Sequence, residues 1–143
     1  MATVKLPVAI VITFVWIGFV CAISFMESWI KFRAPNVTLS VGLGIGRIVF
    51  KALNRVEILL SVIIFINLLL SGNQLLTLRN LTFFIPLLVV LMQAFWLLPA
   101  LDARAELRMQ NAVLPPSNLH FYYIGTEVLK VACLFIFGTS LFK

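Results

Sequence analysis

The chain has 143 residues, of which 62% are hydrophobic and 11% charged, and its mean hydropathy is +1.11. So little polar surface excludes a water-soluble domain. Eleven Lys and Arg against five Asp and Glu give a net charge of +6; in a chain this apolar the excess predicts orientation signals and lipid-headgroup contacts, and no nucleic-acid partner.

Three charge-free runs have membrane length, Leu6–Met26, Ile58–Leu78 and Asn80–Leu101, and Leu119–Phe142 completes a set of four. The first run follows Lys5 but is longer than the apolar part of a signal peptide, and no small-x-small cleavage site follows it. It reads as a helix continuing through Phe32, because Glu27 and Lys31 form an i,i+4 pair in the favourable order. Ser24, Glu27, Ser28 and Lys31 make a polar strip near its end, Trp29 suits an interfacial belt, and Pro35 stops it. Cys21 and Cys133 both fall inside spans and read as packing residues, with no metal spacing and no disulfide framework.

Residues 34–46 read as a loop and helix entry. The run Gly42-x-Gly44-x-Gly46 has the wrong spacing for a dinucleotide fingerprint and predicts close backbone approach or a flexible helix start. Arg47, Lys51, Asn54, Glu57 and Ser61 then share an arc of about 120° on the second helix, which is apolar from there to Leu70 except at Asn67. Gly72-Asn73 closes it. The third helix, from about Leu81, carries Pro86 and Pro99 and is expected to kink at one or both. Asp102, Arg104, Glu106 and Arg108 follow in a helix-favouring stretch to about Gln110; Pro115-Pro116 forces a turn, and Ser117 or Asn118 caps the fourth helix.

That fourth helix carries His120, Tyr123, Glu127 and Lys130 inside an arc of about 80°, continued by Leu134 and Phe137. Glu127 lies roughly 12 Å along the axis from the helix start. With alternating spans, Glu27, Glu57, Asp102, Glu106 and Glu127 all fall in or near one half of the membrane. Isolated charges in lipid are costly, so these faces are predicted to turn toward one another as one polar pocket, closed at its far end by Leu134 and Phe137. The alternative is a purely structural network, in which Glu127 and Lys130 neutralise each other and Arg55 or Arg104 neutralises Glu57.

Lys31, Arg33, Arg47, Lys51, Arg55, Arg104 and Arg108 flank one side, and Lys5, Arg79 and Lys143 the other. In a bacterial inner membrane this bias makes the first side cytoplasmic and both termini non-cytoplasmic. His120 is the sole histidine, so two-histidine haem ligation within one chain is excluded. No nucleophile elbow, HExxH, CxxC or phosphate loop occurs.

Trp16-x-Gly18, Ala34-Pro35 and Leu119-His120, in this four-span layout, resemble a family of small four-helix membrane proteins that includes the transmembrane-protein-205-like proteins. Where that family tends to place a serine and an asparagine after the histidine, this chain has Tyr123 and Glu127. The resemblance implies an integral membrane fold and no particular chemistry.

The sequence therefore predicts an all-α integral membrane bundle of four transmembrane helices, one domain over residues 1–143, with helices at about 6–32, 44–71, 80–110 and 118–142. The expected function is non-enzymatic. A polar half-site near one membrane face, drawn from His120, Tyr123, Glu127, Lys130, Glu57, Asn54, Arg47, Glu27, Asp102 and Arg104, binds a small ligand, ion or lipid headgroup, or docks a membrane complex. A proton- or ion-coupled channel or transporter subunit and a small membrane enzyme are the competing classes. No cofactor or metal is expected; the expected partners are membrane lipids and a homo-oligomer or larger membrane complex.

Overall fold

A computed structural model describes residues 6–72 and 74–142; Lys5, Asn73 and Lys143 lie outside the described residues. Four helices are long and apolar enough to cross a membrane: α1 (Pro7–Arg33), α2 (Leu39–Leu70), α3 (Leu78–Met109) and α4 (Leu119–Ser140). No strand occurs among the described residues. The protein is an all-α four-helix bundle. Each helix packs on its neighbour in the chain, and α4 closes the ring against α1.

The helix ends follow local chemistry. The side chain of Thr38 accepts from the Val41 N–H and that of Thr77 from the Asn80 N–H, so α2 and α3 both start from a threonine cap. α2 thus begins at Leu39, before the expected 44, and Gly42, Gly44 and Gly46 all lie inside its first turns. A Cβ on Gly42 would collide with the Phe32 ring, so the glycine allows a close approach at this point. Gly72 (φ 66°) and Asn111 (φ 59°) lie in the left-handed region just past the ends of α2 and α3. For α4, the Ser117 hydroxyl accepts from the Leu119 N–H, while Asn118 holds the cap position without a side-chain cap.

Two helices depart from α geometry. α1 widens to a π-helix over Cys21–Glu27 and tightens to 3-10 geometry over Lys31–Arg33; α3 widens over Gln93–Leu97, just before Pro99. Pro86 lies inside regular helix, so the departure in α3 is at the second proline.

The apolar core fills the half of the bundle away from the Arg- and Lys-rich ends. Trp16, Ile64, Leu68, Phe83, Val90, Leu134 and Phe137 are its centre, with the Phe83 and Phe137 ring centroids 5.5 Å apart. Gly138 lets α4 approach α1 there, since a Cβ on it would stand 3.1 Å from the Phe14 ring. Outward-facing Val11, Leu59, Ile66, Leu88, Phe121 and Phe135 are exposed on the bundle surface, as lipid contact requires.

Candidate functional site

The polar side chains of the four helices gather at two levels. The inner level is sealed. Lys130 is fully buried in α4, and its ammonium donates to Glu127 Oε1 at 2.5 Å, Glu57 Oε1 at 2.6 Å and Gln93 Oε1 at 2.8 Å. Three donors meet three acceptors from α2, α3 and α4, so the ammonium is saturated. Glu57 Oε1 also accepts from Trp16 Nε1 of α1 at 2.8 Å. Glu127 accepts from Gln93 Nε2 at Oε1 (2.7 Å) and from the Ser24 hydroxyl at Oε2 (2.6 Å). Ser24 and Gln93, the two neutral partners of Glu127, both sit in the π-helical segments. The wider π turn offsets the register locally, a feature often found at functional positions.

The outer level surrounds a cavity of about 170 Å³ between the ends of α1 and α3 and the starts of α2 and α4. Its walls are largely apolar, from Phe32, Leu43, Phe50, Leu98 and Leu101, while Lys31, Arg47, Lys51 and His120 line it against one carboxylate, Asp102. Arg47 grips Asp102 through Nε–Oδ1 at 2.7 Å and Nη2–Oδ2 at 3.1 Å, and reaches Glu106 at 3.4 Å; Lys51 adds a 3.2 Å contact to Asp102. The two-pronged Arg47 grip ties α2 to α3 with fixed geometry. Lys31 pairs with Glu27 at 3.2 Å, and its ammonium lies 5.3 Å from the Phe50 ring centre.

Tyr123 separates the two levels. It is buried, lines the cavity and meets Phe50 edge to face with ring centres 5.2 Å apart. Its hydroxyl is 3.4 Å from the Ser24 hydroxyl, which binds Glu127. A hydrogen-bonded path thus runs from the cavity floor to the sealed level, while Glu127, Glu57 and Lys130 are not among the cavity-lining residues.

The expectation of a single pocket holding every charge is therefore corrected. Glu127, Lys130 and Glu57 do come together with Tyr123 above them, but below the cavity floor; Arg47, Asp102 and the exposed His120 belong to the outer level. Glu27 stays with Lys31 on its own helix. Asn54 donates to the Val90 carbonyl at 3.3 Å and ties α2 to α3 without reaching the cavity. Arg104 donates to the Pro115 carbonyl at 2.7 Å, so it braces the loop before α4. Neither Arg55 nor Arg104 serves Glu57; Lys130 does, and it serves Glu127 as well. A helical arc fixes only which way a residue faces, and each long side chain takes the partner at its own depth.

Trp16, Ser24 and Gln93 belong to the site although the sequence predicts none of them there: Ser24 reads only as part of a polar strip on α1 and Trp16 only as part of the family resemblance. Gln93 had a signal: it is a lone amide deep in the charge-free run Asn80–Leu101, where a polar side chain usually bonds another helix. Compared with protein-family models, curated proteins and solved structures, the chain matches none.

Proposed function

We propose that this chain is a non-enzymatic integral protein of a bacterial inner membrane whose cavity binds an anionic amphiphile, a lipid with its headgroup on the Lys51–Arg47 rim. The observation that carries the reading is the lining itself: an apolar wall topped by Lys31, Arg47, Lys51 and His120, in which Glu27 holds Lys31 and Asp102 and Glu106 hold Arg47, so that Lys51, half exposed, is the cation left open at the rim. Asp102 is shared between Arg47 and Lys51, so a further anionic group at the rim meets the Lys51 ammonium first. A cation near the membrane surface contributes about 1 kcal/mol of attraction to anionic lipid. The floor at Tyr123 favours binding over passage, since a channel needs a second opening. Seven basic residues on the cavity side make that side cytoplasmic and both termini non-cytoplasmic in this reading. Trp16, which belongs to the resemblance with the transmembrane-protein-205-like family, supports the inner level by its bond to Glu57.

The test is retention of labelled phosphatidylglycerol against phosphatidylcholine by purified protein in nanodiscs. The expected result is a preference for the anionic lipid, reduced roughly fivefold in Lys51→Gln, the equivalent of about 1 kcal/mol, and retention of both lipids lost in Ala105→Phe, which fills the cavity. Equal retention of the two lipids, unchanged in both variants, would overturn the reading.

A further inference from the structure

The sealed level has a charge imbalance that its geometry locates. Two carboxylates, Glu57 and Glu127, face one ammonium, Lys130, and all three are at most 1% exposed. The remaining side chains bonded to this layer, Trp16 and Ser24 from α1, Gln93 and Thr126, carry no charge, and Tyr123 is the one further titratable group in contact with it among the described residues. With both carboxyls ionised the layer would hold a net charge of −1 in the interior of the bundle, where an uncompensated charge is strongly penalised.

We propose that this layer is a one-proton site: Glu57 and Glu127 together bind a single exchangeable proton beside Lys130. The hydrogen bonds indicate where it rests. Glu127 receives three donors spread over both oxygens, from Lys130, Gln93 and Ser24, which leaves neither oxygen free for a proton. Glu57 receives Lys130 and Trp16 on Oε1 alone, and its Oε2 accepts from none of the described residues. The proton therefore sits on Glu57 Oε2 in the resting arrangement and belongs to the pair. A metal cation does not fit in its place, because Glu57 Oε1, Glu127 Oε1 and Gln93 Oε1 already converge on the Lys130 ammonium. Exchange with the cavity has a route through the Ser24 and Tyr123 hydroxyls. The site stands whether or not the cavity takes a lipid.

Infrared spectroscopy of the protein in a detergent without ester groups reads this directly, through the C=O band of protonated carboxyl groups, which lies clear of the amide band and shifts in D2O. At neutral pH the wild type should show one such band in both Na+ and Na+-free buffer. Glu57→Gln and Glu127→Gln should each abolish it, because either variant leaves one carboxylate for one ammonium. Lys130→Met should double it, since both carboxyls then need a proton, and a gain of this kind cannot come from unfolding. The proposal is overturned by a wild type without the band, by a band that persists in both glutamine variants, by an unchanged intensity in Lys130→Met, or by a band appearing only when Na+ is withdrawn.

Discussion

Lys130 is the residue on which three helices converge, and its removal differs in kind from removal of either acid. Lys130→Met takes away all three donors and leaves Glu57 and Glu127 to face each other across the former ammonium. A buried pair broken from one side costs about 3–5 kcal/mol. Glu127→Gln keeps the Lys130–Glu57 contact and the shape of the side chain, so its cost is that of weakened hydrogen bonds, about 1–2 kcal/mol. Unfolding in mixed micelles should therefore rank Lys130→Met well below Glu127→Gln; equal losses would mean that Lys130 has no more than a single effective partner. The i,i+3 pair Glu127–Lys130 was legible in the sequence because helical geometry alone puts both on one face. That Glu57 completes it, and that Trp16, Ser24 and Gln93 supply its hydrogen bonds, depends on the relative depth of four helices, which no periodicity encodes.

At the scale of the helix, the hydrophobic runs gave the spans and the prolines and polar loops bounded them, but local propensity misplaced the start of α2. The glycine run reads as close backbone approach or a flexible helix start, with the helix from about 44, because glycine disfavours isolated helix by about 1 kcal/mol per residue; in the bundle Thr38 caps the segment five residues earlier, and the Phe32 ring makes the close approach at Gly42. The π segments Cys21–Glu27 and Gln93–Leu97 had no sequence signature, although they carry Ser24 and Gln93 to Glu127. Gly138 offers a test at this scale. A leucine there has to push the Phe14 ring and Thr13 aside, and with them α1 from α4, at a cost of about 1–3 kcal/mol from overpacking. Because Gly138 lies at the apolar end, Gly138→Leu should lower thermal stability and leave lipid preference at the cavity unchanged. A loss of lipid preference would show that the two ends of the bundle do not act independently.

For the whole molecule, polarity is graded along the bundle axis: a charged open cavity, a sealed hydrogen-bonded layer, then an apolar plug of Phe83, Leu134 and Phe137. The same axis carries the basic bias on which the proposed orientation rests; in that orientation alkaline-phosphatase fusions at Lys143 should be active and fusions in the 109–117 loop inactive, whereas the reverse pattern would invert the molecule. The gradient also bears on the proposed choice of binding over conduction. Below Tyr123 the path narrows to hydrogen-bonded side chains at Glu127, Lys130 and Glu57, and beyond them lie buried aromatic and aliphatic groups, so the hydrogen-bonded path ends at the inner layer. The direct measurement is flux through purified protein reconstituted in liposomes under a pH or cation gradient. A blind cavity gives no proton or cation flux above that of empty liposomes, whereas a flux that disappears in Glu127→Gln would contradict it and make the sealed layer part of a transport path.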